Sequence, residues 1–442
     1  MDIHQTASTG PESDTYHVSK RYAWFVFSLT FLLMLIDFVD RQVVVSMFPA
    51  LKAEWKLSDK ELGGLISIIS LIVAVGSLPI AILADRWSRT KSIAMMALVW
   101  SLATIACGFA SNYTELLAAR GFVGLGEAGY GAVGGALLAS LFPSRLRATI
   151  IGAFIAAATI GSVLGVVLGG VISAKWGWRN AFGVVGIPGV FLALLYFFVR
   201  DYKTVALVTR DATGTATKMR FGQMAASLFR APSAVATYFA GGLQLLLVST
   251  MYAWLPSYLS RSYGLPMDQA GIKSAIVLLM GSLGAVFWGF VADRVGRNRP
   301  RNKMFVMAFT SIATFLTLTA AFGFIEPGDR QFQLIVLGGF FMAGMIGICA
   351  AVVIDVVHAG LRSTATAINA LAQNLLGLAI GPILAGAISD SYGLPMAMTV
   401  MPAFCLLSAI VSVVGARSFE RDLAASAAGS AAAIEVRNAV PA

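Results

Sequence analysis

Long apolar runs alternate with short polar ones along the whole chain. A window of about 19 residues finds twelve such runs, at 22–48, 60–84, 91–111, 113–141, 147–174, 180–199, 233–257, 270–292, 303–324, 332–355, 363–389 and 394–416. Each has the length of a membrane-crossing helix. Hydrocarbon offers no hydrogen bonds to a bare backbone, so each run must satisfy its own N–H and C=O groups. The expected fold is all-α, with twelve transmembrane helices, numbered here as spans 1 to 12.

One polar connection is long: "DYKTVALVTRDATGTATKMRFGQMAASLFR", 201–230. It parts six spans from six, and the halves repeat. "AILADRWSR" (81–89) returns as "GFVADRVGR" (289–297), and "LSDKELG" (57–63) as "LPMDQAG" (265–271), both 208 residues on. "LRAT" (146–149) returns as "LRST" (361–364), 215 residues on. Two pseudo-symmetric six-helix halves around a site at the membrane midplane are a transporter architecture. The expected organisation is a tail (1–21), a first half (22–200), a linker (201–230), a second half (231–417) and a disordered Ala-rich tail (418–442).

Composition agrees. The 442 residues are 58% hydrophobic and 12% charged, about half the charge of a soluble protein. The net charge is +10, and its placement matters more than its size. With both termini cytoplasmic, the inner segments hold 22 Lys and Arg and the outer segments 8, as the positive-inside rule requires. The excess therefore reads as topology and contact with anionic lipid. Nucleic-acid binding would need these charges on one surface, and they are dispersed. The first nineteen residues are polar, with Asp2, Glu12 and Asp14, which does not read as a signal peptide. Span 1 is expected to be retained.

Five charges interrupt the apolar pattern: Asp37, Asp40 and Arg41 in span 1, Arg120 and Glu127 in span 4. Each costs roughly 2.5–3.5 kcal/mol at the bilayer centre, or on the order of 12–18 kcal/mol together if unpaired. They should face a cavity or one another. Asp40 and Arg120 both fall roughly 10–12 Å below the outer surface at 1.5 Å per residue. Glu127 lies two turns deeper than Arg120 on nearly the same face. Asp37 and Arg41 are i, i+4 and can pair. That leaves Asp40 and Glu127 as the carboxylates able to gain and lose protons. The competing reading is a static salt-bridge network that only holds spans 1 and 4 together.

The second half has no such deep charges. Its span 7 offers Gln244, Ser249, Thr250 and Tyr252, and its span 11 offers Asn369, Gln373 and Asn374. These either line a cavity or bond a neighbouring helix. Charge in one half facing polar and aromatic surface in the other suits a small amphipathic substrate, with Arg41 or Arg120 meeting its headgroup.

Enzyme chemistry finds little to work with. His4 and His17 lie in the tail and His358 in a loop; no HExxH, G-x-S-x-G or Cys–His pair occurs in the bundle. Asp37 and Asp40 share one helix and cannot face each other as a protease dyad. Cys107, Cys349 and Cys405 fall in three different spans and read as small core residues. No metal spacing and no cofactor motif is present. "GLGEAGYG" (124–131) spells a dinucleotide loop, but it sits inside an apolar helix with no strand before it. Its glycines, like Gly161, Gly165 and Gly169, read as close helix packing.

The repeated loop at 81–89 and 289–297 resembles the signature loop of the major facilitator superfamily. Its usual glycines are Gly289 and Gly296 in the second copy, and Ala81 and Ser88 in the first. Within that superfamily "DFVDRQ" (37–42), "RGFVGLGEAGYGA" (120–132) and "DVVHAGLRSTATAINALAQNLLG" (355–377) resemble the Spinster-like transporters. Where Asp37 stands, those relatives often carry an uncharged polar residue. The resemblance implies the major facilitator fold and alternating access. It also implies proton-coupled movement of a lysophospholipid or sphingosine phosphate. The chain is expected to act as a monomer in the bacterial plasma membrane, its partners being substrate, protons and lipids. An organic anion or a hydrophobic drug is the alternative substrate.

A gate is expected at the cytoplasmic face. Asp85 and Asp293 end spans 2 and 8, and a helix start attracts a carboxylate. Asp85 should latch to the start of span 11 at Arg362. Asp293 should latch to the start of span 5 at Arg147 or Arg145. Arg86, Arg89, Arg294 and Arg297 would hold the two carboxylates in place. These latches should form only when that face is closed.

Overall fold

The computed structural model describes residues 18–200, 229–357 and 362–426. Most of the 201–230 connection, all three histidines and residues 427–442 lie outside it. Among the described residues, twelve helices are long and apolar enough to cross a membrane: Lys20–Trp55, Asp59–Ser77, Arg89–Gly108, Tyr113–Leu141, Thr149–Trp176, Trp178–Tyr196, Pro232–Tyr263, Met267–Gly296, Asn302–Phe324, Asp329–Val356, Thr364–Tyr392 and Leu394–Ala416. These are spans 1 to 12. The chain is an integral membrane protein. Twelve crossings put both ends of the bundle's chain on one face, called here the terminal face; the other is the far face.

The helix starts follow from local chemistry. Ser58 and Glu61 form a reciprocal capping box at the start of span 2: Glu61 N–H donates to Ser58 Oγ (3.2 Å) and Ser58 N–H to Glu61 Oε2 (2.8 Å). Asn112 Oδ1 accepts from Glu115 N–H (3.0 Å) at span 4. Each satisfies an amide that the helix itself leaves bare.

The repeat extends to backbone geometry. Span 1 ends on Lys56 at φ 53°, and span 7 ends on Gly264 at φ 66°, 208 positions on. The left-handed turn is thus kept even where a lysine must adopt it. Gly177 and Gly393, at φ 81° and 85°, make the tight corners from span 5 to 6 and from span 11 to 12. Span 4 breaks after Glu127, at Ala128 and Gly129. Span 10 breaks at Ala343 and Gly344, 215 positions on.

The offset also changes within one helix. It is 215 at "LRAT" and "LRST" but 216 at Gly177 and Gly393. Span 11 therefore holds one residue more than span 5. The structure locates it: Gln373–Leu378 is a π-turn in which Ala379 N–H reaches back to Asn374 C=O (2.9 Å). A π-turn is the mark of a single-residue insertion in an α-helix. The glycine pattern of span 5 is kept across it, with Gly377 inside the turn and Gly381 after it in place of Gly161 and Gly165.

Those glycines set the helix spacing. A Cβ on Gly161, Gly165 or Gly169 would strike the carbonyl oxygen of Leu35, Val39 or Val43 on span 1. Span 5 thus lies directly on the backbone of span 1. Gly381 meets the Leu246 carbonyl of span 7 in the same way. The cysteines are buried among core residues.

One expected boundary differs. Residues 419–426, assigned to a disordered tail, are helical. Phe419 is fully buried, and Asp422 accepts from Ser233 N–H (2.9 Å) and Oγ–H (2.7 Å). Asp422 thereby caps the start of span 7. An Ala-rich composition carries no signal for a partner 189 residues away in the chain.

Gly165→Val is expected to destabilise the purified protein by about 1–3 kcal/mol, the cost of overpacking a tight contact. Gly135→Ala, where an added Cβ meets nothing within 4 Å, should be neutral or slightly stabilising. Thermal unfolding in detergent measures both.

Candidate functional site

The glycine seam carries span 1 past span 4 with its charged face turned inward. Asp40 and Arg120 meet there: Arg120 Nη1 lies 3.4 Å from Asp40 Oδ2 and 3.4 Å from the Asp40 carbonyl. Arg120 is fully buried, yet its contacts are long; Nε is 3.5 Å from Leu65 C=O, and Nη2 has no partner. Seven residues on, Glu127 Oε2 lies 2.7 Å from Arg41 Nη2. The N–H does not point along that line, so the two form an ion pair without a complete hydrogen bond. Arg41 Nε also reaches Asp37 Oδ1 at 3.4 Å. Arg41 therefore bridges Asp37 and Glu127, while Asp40 and Arg120 pair separately. Its guanidinium sits over the Phe38 ring, 5.2 Å from the centroid.

The count is uneven: three carboxyl groups face two guanidinium groups. If all five are ionised, one negative charge is left over among three almost fully buried carboxyl groups. A buried unpaired charge is costly. One proton, or one cation, makes the cluster neutral.

The cluster borders a cavity of about 470 Å³ between the halves. Asp37, Arg41, Arg120 and Glu127 form its charged end, with the neutral Gln42 beside them. Phe38, Ile66, Ile69 and Val73 make an apolar wall, and the second half closes it with Tyr252, Ala253, Ala370, Asn374 and Leu378.

Of the three span-11 candidates, the cavity takes Asn374 alone. Asn369 is buried elsewhere, and Gln373 packs against Gly241 of span 7. They share a face with each other, as expected, but Asn374 is one residue further round, in line with Ala370 and Leu378. Gln244 is not a cavity residue either. It donates to Met342 C=O (2.9 Å) and accepts from Ser311 Oγ–H (2.9 Å), tying span 7 to spans 10 and 9. Thr250 bonds its own helix at Leu246 C=O (2.9 Å).

The far face is shut. Asp59, at the first turn of span 2, is 2% exposed. It accepts from Arg261 through two nitrogens (2.6 and 2.9 Å), from Lys52 Nζ (2.6 Å) and from Ser389 Oγ–H (2.5 Å). In return Asp390 accepts the N–H groups of Asp59 (2.7 Å) and Lys60 (2.9 Å). Spans 2, 7 and 11 are thus locked together across the halves. Backbones touch as well: a Cβ on Gly63 would strike Pro382 C=O, and one on Gly386 would strike Asp59 C=O. Gly271 against Val166, and Gly170 against Met267, repeat this between spans 8 and 5. Among the described residues only the first seam shows an ionic latch; Met267 stands where the repeat has Asp59. Sequence reasoning missed Asp59, Arg261 and Asp390. Each reads alone as a helix-end charge; the visible signal was an acid and a base at equal depth in opposite halves.

Toward the terminal face no such seam is seen among the described residues. Gly131 lines the cavity and has nothing within 4 Å of an added Cβ. Asp293, Arg294, Arg297 and Arg362 are exposed, and Asp293 has no ion pair among the described residues. Arg147 Nε donates to Phe142 C=O (3.3 Å), and Arg89 opens the helix of span 3. The side chains of Asp85 and Arg86 lie outside the described set. The cavity is therefore closed at one end, and the expected second latch is not made in this arrangement.

A family model described as Major Facilitator Superfamily matches residues 30–328 and 238–435. A cis,cis-muconate transport protein of Acinetobacter baylyi is 24% identical over 394 residues, covering 88% of this chain and 94% of that one. Protein spinster homolog 1 of Xenopus laevis is 26% identical over 391 residues, covering 84% and 74%. A crystal structure of a bacterial homolog of the human lysosomal transporter Spinster, inward-facing and unoccupied, superposes with a TM-score of 0.82. The two share 20% identity over 92% of this chain and 99% of that one. At that identity the superposition shows a shared fold.

Asp59→Ala removes the acceptor shared by Arg261, Lys52 and Ser389. Losing charge-assisted bonds worth about 2 kcal/mol should move the balance toward a far-face-open state more than tenfold. The readout is the rate at which a membrane-impermeant thiol reagent, applied from the far face, labels a cysteine placed at Val45 in the cavity. An unchanged rate means that Asp59 is not the latch.

Proposed function

The chain belongs to the major facilitator superfamily, and on that premise we propose that it carries a compact amphipathic organic anion together with protons, by alternating access. The observation that carries this reading is the cavity itself: apolar walls, a charged end, and three carboxyls to two guanidiniums. A substrate anion drawn to Arg41 or Arg120 competes with Glu127 and Asp40 for the same cations. The displaced carboxylate is then stabilised by a proton. Anion and proton occupancy are thereby linked in one site, which is what coupling requires. Asp40 and Glu127 are the proton carriers in this reading; Asp37 stays as the local partner of Arg41.

The relative named for an organic acid, cis,cis-muconate, supports the compact anion. So does the cavity volume of about 470 Å³, which holds such an acid whole. A second reading is a lysophospholipid or sphingoid phosphate. The likeness to Spinster proteins and the apolar wall favour it, but the tail would have to lie between helices outside the cavity. The transporter is placed in the plasma membrane with the terminal face toward the cytoplasm, following the Lys and Arg bias. Competition between aromatic acids and lysolipids for binding to the purified protein decides between the two readings.

In proteoliposomes an imposed proton gradient should drive uptake. Glu127→Gln and Asp40→Asn should each abolish that drive while leaving substrate exchange across the membrane at no imposed gradient. If both variants keep full gradient-driven uptake, coupling does not use these carboxyls.

Asp85 and Asp293 complete the cycle as latches of the cytoplasmic face, formed when the far face opens. Replacing both with Asn should raise the labelling of a cysteine at Gly131 from the cytoplasmic side. Unaltered labelling and an unaltered transport rate together would remove the latches.

A further inference from the structure

Spans 4 and 10 are broken at the same place of the repeat, and the two breaks are finished differently. In span 10 the protein bonds its own loose ends. Gly344 N–H donates to Phe341 C=O (3.1 Å), Ile346 N–H to Ala343 C=O (3.2 Å), and Gln244 Nε2 to Met342 C=O (2.9 Å). In span 4 the matching break lies 215 positions back. There the N–H groups of Gly131 and Ala132 donate to no described residue. They belong to the first turn of Tyr130–Leu141, and Gly129 before it has no side chain to cap them. Bare backbone at this depth is tolerated only where it lines a cavity. Gly129, Gly131 and Ala132 all line the one described above.

Amides at a helix start carry the positive end of its dipole, which favours an anion. Two side chains point to a ligand independently. Glu127, four residues before Gly131, is 3% exposed and lines the same cavity, and neither of its carboxyl oxygens has a hydrogen-bond partner. Arg120 is fully buried, and its Nη2 is unpartnered at the charged end. The approach to the amides is also open, since a Cβ added to Gly131 would meet nothing within 4 Å.

We infer that the break in span 4 is the seat of the cargo's carboxylate, which accepts hydrogen bonds from the N–H groups of Gly131 and Ala132. An ionised Glu127 repels such a cargo. A protonated Glu127 donates its O–H to it and keeps its other oxygen toward Arg41. Anion and proton therefore fill the site together, while Asp37 stays with Arg41 and Asp40 with Arg120. The break in span 10 has no such seat, because its amides and the Met342 carbonyl are already bonded. The inference rests on the compact-anion reading and names the groups that hold the anion.

The test is a binding titration on the full-length protein in lipid nanodiscs, with benzoate and hexanoate as probes. Gly131→Pro deletes one of the two N–H groups. Proline is accepted in the first turn of a helix, and Gly131 has no positive φ to forbid it. The second variant replaces the Ala132 amide by an ester, which removes the N–H and keeps the side chain. Each should weaken the bound acid about tenfold, the worth of one charge-assisted hydrogen bond. The control is an ester at Val133, whose N–H donates to Gly129 C=O (3.0 Å). It should lower the thermal unfolding temperature and leave the affinity for the acid within about twofold. An acid that binds the wild type and both variants equally well overturns this inference alone. So does an equal loss of affinity at Ala132 and Val133, which marks a damaged helix start and not a lost contact. Binding of neither acid to the wild type, with a lysophospholipid bound instead, overturns the compact-anion reading and this inference with it.

Discussion

Five charges inside a membrane-spanning bundle can be kept only if they answer one another. That constraint shapes the first half of the protein. Span 5 presents Gly161, Gly165 and Gly169 to the backbone of span 1, which holds Asp37, Asp40 and Arg41 on the inner side. Span 4 breaks just after Glu127, so its carboxyl ends at the cavity and not in the lipid. The second half has the same helices at the same spacing without these charges. Leu245, Val248 and Met342 stand at the repeat positions of Asp37, Asp40 and Glu127. One half therefore supplies electrostatics and the other supplies shape.

This division explains the unequal treatment of polar groups. Gln244, Ser311 and Ser408 form a satisfied network deep in the second half, and such a network rigidifies. In the first half, Arg120 and Glu127 keep unsatisfied atoms at the cavity. Arg120, with contacts of 3.4–3.5 Å, is held in place without being saturated.

The far-face lock shows the same economy in geometry. Gly63 with Gly386, and Gly271 with Gly170, let four helices touch backbone to backbone at two related places. Such contacts are short-ranged and lost after a small rotation. Asp59 adds a directional, charge-based latch to one of them. A closure made from many short-range contacts and one ionic cluster is stable when formed and cheap to leave once the cluster parts. That is the bistability which rocking between two states needs.

The sequence alone determined the number of helices, their placement, the two-fold repeat and the residues that are too costly to leave in lipid. These follow from hydropathy and from charge, which act residue by residue. It also paired Asp37 with Arg41, since i, i+4 spacing is a local property. What it left open was every partner chosen across helices. Arg41 meets Glu127, and Arg120 meets Asp40, because the span 1–span 4 crossing sets which turns are level. Asn374 reaches the cavity and Gln373 does not, because one inserted residue turns the helix. The latch of Asp59 joins residues 202 and 330 positions apart, and no local pattern announces it. Depth in the membrane is written in the order of residues; facing is decided only when the helices pack.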